Sequence, residues 1–221
     1  MSERNAQAVF FDTRTDTDFK RGVFNAIIAP RPIGWISTLD GNGRANLAPF
    51  SYFNIVSNLP PILMFSCNEP EDRAVKDTAA NASAAGEFVF NLVSYDLVEK
   101  MNYTSTPVPV DVDEFEHFEI EKAPCKLVAA PRVAASPCSL ECKVIKVLNF
   151  GGGERGPMTT VTFGEVIGMH IAAGFLINGK FDTAKALPVS RLGGAEYAVC
   201  EKTFQLERQF SRANEATYGD A

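Results

Sequence analysis

Histidine is nearly missing from this chain of 221 residues, which has only His117 and His170. Neither lies in a nucleophile or zinc-protease motif, so no hydrolytic constellation emerges. With two histidines, a metal site is not expected. No G-x-x-x-x-G-K-[ST] is present, and no G-x-G-x-x-G follows a strand and opens a helix. A doubly wound dinucleotide site is therefore unsupported. Basic clusters are lacking as well. Lys and Arg occur singly among acids, the net charge is −6, and the sequence pI is about 5.1. Nucleic acid and anionic membrane surfaces both need concentrated positive charge, so neither is expected as a partner. Apolar runs such as 62–65 are far too short to span a bilayer. Met1 to Gln7 is polar and has no signal-peptide core, which points to the cytoplasm. Five cysteines cannot close into a full disulfide set, and Cys138 and Cys142 match no common metal knuckle. They read as reduced, half-buried small hydrophobes.

What is present is ordinary for a globular protein: 46% hydrophobic and 22% charged residues. We read residues 1–221 as one domain, with a core over about 20–200 and a C-terminal extension. Short β-rich runs separated by Gly, Pro, Asn and Asp favour a mostly antiparallel barrel. Residues 34–39 predict a strand, 40–43 a hairpin turn, and 44–49 the return, with Pro49 ending regular pairing. Strands are also predicted at 62–67, 87–93, 140–150 and 159–171. Asn68 to Asp72 has the marks of a helix start, the helix continues over 73–85, and Gly86 ends it. A short helix over 95–101 is capped by Ser94. Segment 104–119 reads as irregular.

Small polar residues gather beside these turns: Ser37 and Thr38, then Asn46 and Ser51, then Arg73, Lys76 and Thr78. A flavin asks for such groups. Its pyrimidine edge takes amide, hydroxyl and backbone N–H partners, and its phosphate takes a helix start or cations. The order of motifs sharpens this. Residues 29–38 (APRPIGWIST), 46–53 (NLAPFSYF), 73–78 (RAVKDT), 86–92 (GEFVFNL), 163–166 (FGEV) and 191–194 (RLGG) resemble the flavin reductase-like family of FMN-binding split barrels.

That resemblance covers about 24–197. It implies a six-stranded antiparallel Greek-key split β-barrel with additional helices, working as a homodimer and holding FMN without a covalent bond. It implies that Trp35, Ile36, Ser37 and Thr38 line the ring, and that Asn46 and Ser51 reach its polar parts. Ala48, Pro49 and Phe50 would form a wall, and Arg73, Lys76 and Thr78 would hold the phosphate. Ala74 departs from the family, which often has a basic or polar residue there. His170 is a candidate for contact with the flavin edge or a nicotinamide. Arg191 is a candidate for a nucleotide phosphate. The implied activity is hydride transfer between NAD(P)H and flavin. The alternative is a flavoredoxin-like carrier reduced by a protein partner.

Overall fold

The computed structural model of the chain describes residues 8–15, 21–70, 75–152 and 156–207. The strands of its first half are β1 (Arg31–Pro32), β2 (Gly34–Leu39), β3 (Ala45–Phe50), β4 (Phe53–Asn58), β5 (Pro61–Asn68) and β6 (Glu87–Asn91). Those of the second half are β7 (Lys122–Ala123), β8 (Arg132–Val133), β9 (Cys138–Phe150), β10 (Thr159–Ile171), β11 (Leu176–Ile177), β12 (Lys180–Phe181), β13 (Val189–Arg191) and β14 (Tyr197–Val199). The helices are α1 (Arg21–Ile27), α2 (Asp77–Ala85), α3 (Val98–Tyr103), α4 (Glu114–His117) and α5 (Thr183–Ala186).

The fold is mostly β, as expected. Its main sheet has seven strands in the order β3-β2-β6-β9-β10-β5-β4, which corrects the expected six. The physical reason lies at Ser51 and Tyr52. β3 and β4 are the two edges of the sheet, yet only these two residues separate them. So short a link spans on the order of 10 Å, so the sheet must curl until its edges approach. The Ser66 N–H donates to the Tyr52 carbonyl at 2.8 Å, so Tyr52 already follows β5 one step beyond the Phe53–Phe65 pair. Pairing also runs past Pro49: Trp35 lies opposite Pro49 and Gly34 opposite Phe50. An edge strand tolerates the missing N–H.

The concave side is filled by Ile36, Phe50, Phe53, Phe65, Phe88 and Val166, with Ala79 and Ala82 of α2 plugging one end. The Phe65 ring sits 5.1 Å from Phe50 and 5.2 Å edge-on to Phe88. Fully burying rings of this size stabilises the fold by about 2–3 kcal/mol each. Alternation puts Trp35 on the opposite face from Ile36. There Trp35 meets Leu47, Met101 of α3, Phe115 of α4 and Val189 of β13. Both faces of β2 are therefore covered.

The helix start differs from the reading of 68–72. Lys76 is the N-cap of α2, and Asn68 instead ends β5, where its side chain accepts from the Thr159 hydroxyl at 2.9 Å. Residues 71–74 lie outside the described residues. Gly86 ends α2 at φ 69°, a left-handed position suited to glycine. Residues 95–97 form a single 3-10 turn leading into α3. The Ser94 hydroxyl donates to the Asp96 carboxylate rather than capping the backbone. No helix among the described residues is long and apolar enough to cross a membrane.

Candidate functional site

The break at Ser51 and Tyr52 has a consequence for the surface. Here β3 stops pairing, β5 ends, α2 begins, and segment 104–108 passes over the gap. Together they enclose a cleft of about 740 Å³, within the usual size of small-ligand sites. The cleft gathers Asn46, Ala48, Pro49, Phe50, Ser51, Lys76 and Thr78 from the expected site residues. Arg73 lies outside the described residues.

The structure does not bring Trp35, Ile36, Ser37 or Thr38 to the cleft surface. Each is fully buried, at 0% exposure, because β2 is covered on both faces. They stand behind the wall instead. The Trp35 indole N–H donates to the Thr104 hydroxyl at 2.9 Å, and Thr104 lines the cleft. The Ser37 hydroxyl donates to the Pro131 carbonyl at 2.5 Å. Thr38 accepts from the Asn81 amide at 3.3 Å and lies 3.4 Å from Asn46 Oδ1.

Asn46 is the centre of the polar floor. Its Oδ1 accepts from the Thr78 hydroxyl at 2.6 Å. Its Nδ2 donates to both oxygens of Glu114, at 3.0 and 3.1 Å. Glu114 also accepts the Leu47 N–H at 3.0 Å. One network thereby ties β3, α2 and α4 into a single rigid base. Burial lifts the Glu114 carboxyl above its usual range, the Leu47 N–H opposes the rise, and the charges of Asp113 and Asp77 add to it. Burial also pushes the Cys67 thiol up to about 11, while the Lys76 ammonium pulls it partly back. Lys76 and Cys67 both line the cleft.

His170 and Arg191 are elsewhere. The cleft meets β10 through its partners Cys67 and Asn68, opposite Thr160 and Thr159. His170 is at the far end of that strand, on the order of 30 Å away along an extended chain. Its Nε2 lies 2.6 Å from Glu141 Oε1. Arg191 stacks on Tyr197 at 4.7 Å and donates to the Tyr197 hydroxyl at 2.5 Å and to the Gly194 carbonyl. Neither side chain lines the cleft.

The sequence reading missed the opposite wall. Thr104, Ser105, Thr106, Pro107 and Val108 line the cleft with Glu114. The run of three hydroxyls before Pro107 was the one available signal. Nothing local shows that it folds back over β3.

Residues 28–184 match the flavin reductase like domain family. The chain belongs to that family. An uncharacterized protein of Halalkalibacterium halodurans is 36% identical over 181 residues, which cover 82% of this chain and 87% of the relative. The crystal structure of nitrilotriacetate monooxygenase component B from Bacillus cereus superposes with a TM-score of 0.84 at 28% identity, covering 91% of this chain and 100% of the other. A flavoredoxin of Methanosarcina acetivorans shares the fold, with a TM-score of 0.72 at 21% identity, covering 95% of this chain and 98% of the other.

Proposed function

We propose that the chain is a single-domain FMN-binding oxidoreductase that takes hydride from NAD(P)H into the flavin. One observation carries the proposal. Separate stretches of sequence converge on one cleft whose halves differ in chemistry. Ala48, Pro49 and Phe50 offer an apolar wall for a planar ring. Lys76 and Ser51 offer a cation and a hydroxyl for an anionic tail, with Thr78 holding the floor beneath them. No side chain caps the N-terminus of α2 beside them, and such a helix end favours an anion. The residues therefore fit FMN.

The bound flavin would supply a two-electron carrier. The chain's own part is to bind and align. The Glu114–Asn46–Thr78 network holds the floor rigid, and Trp35 holds Thr104 in the facing wall. Lys76 would balance the charge of the phosphate, the role the family resemblance also gives Arg73. Hydride transfer between stacked rings needs no side-chain acid, so alignment is the main contribution. Pairing of two copies is also part of the reading. Ile167, Met169 and Ile171 alternate along the outer face of β10 and are exposed with Ile145. Such an apolar stripe favours a covering partner.

The test is an absorption spectrum of the purified protein followed by anaerobic addition of NADH or NADPH. Bleaching of bound flavin supports the reductase. A yellow protein that neither nicotinamide reduces is the flavoredoxin-like carrier. A colourless protein whose melting temperature excess FMN leaves unchanged refutes flavin binding altogether.

A further inference from the structure

Outside the cleft, three side chains with metal-ligating atoms meet at the far end of the long hairpin. Cys125 comes from the loop between β7 and β8, Glu141 from β9 and His170 from β10. Cys125 Sγ, a Glu141 carboxylate oxygen and a His170 ring nitrogen all lie within 4.8 Å of one another. We propose that this trio is a binding site for a thiophilic divalent cation of the zinc type, with three protein ligands and a fourth position open.

The backbone builds the site. β9 and β10 pair with a register shift between Val166 and Gly168, so Gly168 lies opposite Glu141 and His170 opposite Ser139. Glu141 and His170 thus become diagonal neighbours on one face of the hairpin. A Cβ at Gly168 would sit 3.4 Å from the Glu141 carboxylate and 3.3 Å from Leu127. With glycine there, the carboxylate tucks under the 125–128 loop. It accepts the N–H groups of Lys126 at 2.9 Å, Leu127 at 2.6 Å and Val128 at 2.9 Å. Three successive amides fix its position, and the same loop brings Cys125 alongside.

The charge balance and size also suit a cation. Glu141 is 1% exposed, and among the described residues His170 is the ionisable side chain within hydrogen-bond distance of it. Of the other charges acting on Cys125, Glu87 is matched by Lys143 at 2.6 Å and Arg132 is a single cation, which leaves the Glu141 carboxylate and the thiolate as the excess negative charge. Zinc holds sulfur at about 2.3 Å and nitrogen or oxygen at about 2.0–2.2 Å. Donor atoms on one tetrahedral ion are then roughly 3.3–3.8 Å apart. The hydrogen-bonded pair at 2.6 Å must open by about 1 Å, and the thiol must close by a similar distance. The ion would bind His170 Nε2 with the neutral ring carrying its proton on Nδ1, and the Cys125 thiol would lose its proton to solvent on binding. The His170 side chain keeps 18% of its surface exposed, which leaves an entry for the ion and its water.

The experiment uses the full chain after chelator treatment, with and without FMN, so that it does not depend on the flavin reading. Co2+ and Zn2+ are the probes. One equivalent of Co2+ should give thiolate charge-transfer absorption, which Zn2+ displaces. Cys125→Ser should abolish that band, and His170→Gln should weaken Zn2+ by at least tenfold. Cys200→Ser should change neither. In the unaltered protein, Zn2+ should shield Cys125 from maleimide while Cys200 stays reactive, a readout that needs no variant to fold. Absence of saturable one-to-one binding, or binding that survives both ligand substitutions, overturns the proposal.

Discussion

Asn46→Asp is the sharpest probe of the cleft floor, because it swaps a donor for a charge without changing shape. In the structure Asn46 Nδ2 lies 3.0 and 3.1 Å from the two Glu114 oxygens. The substitution sets a second carboxylate against the first at that distance, inside a largely buried site. Two full charges about 3 Å apart repel by about 5 kcal/mol at an effective dielectric of about 20. Taking up a proton is the smaller penalty. A carboxyl that titrates near 4.5 when unperturbed is protonated at pH 7 for about 3 kcal/mol, or about 1.4 kcal/mol per pH unit. The pair will therefore share a proton. We expect a loss of about 3 kcal/mol at pH 7, shrinking by about 1.4 kcal/mol per unit as the pH falls, and largely gone near pH 4.5. The sign follows from linkage: a raised carboxyl leaves stability intact below the unfolded value and removes it as pH rises. Urea unfolding of both proteins between pH 4.5 and 8 measures this. A penalty that does not change with pH would refute the reasoning, because the Asn46–Glu114 contact could not then exist in solution.

Further expectations follow from the same geometry. Burial holds the Glu114 carboxyl above its usual range, so Glu114→Gln should flatten part of the loss of stability as pH rises from about 4.5; an unchanged pH profile would count against its burial. Lys76→Ala should weaken FMN about five- to tenfold and riboflavin less than twofold in fluorescence titrations, since only FMN carries the phosphate. Equal weakening would move the phosphate away from α2. Gly164→Ala would put a Cβ 2.4 Å from the Phe88 ring and 3.1 Å from Cys142. Phe88 is fully buried, so it cannot yield, and a loss of about 1–3 kcal/mol is expected in urea unfolding; a neutral result would mean that the concave core is loosely filled.

Much of the strand pattern was readable from local chemistry. The 159–171 strand matches its predicted bounds, and Gly86 stops α2 where a left-handed residue was needed. Period-2 alternation and turn residues act over a few positions, so they survive without knowledge of the rest of the chain. The start of α2 was less legible. Asn68-Glu69-Pro70 carries helix-start chemistry, but Asn68 completes β5 by pairing with Thr159. A ladder partner distant in sequence outweighed the local signal.

By itself, the sequence determined a β-rich chain that carries the ordered motifs of its family. Tertiary structure alone decided which polar residues line the cleft. Trp35 to Thr38 were drawn behind the wall because both faces of β2 found partners. Thr104 to Val108 and Glu114 were brought forward because a distant segment crosses the gap between two sheet edges. Cys125, Glu141 and His170 met through a register shift and a loop, and neither is written in their spacing. Burial and long-range pairing are properties of the whole chain, and no local pattern carries them.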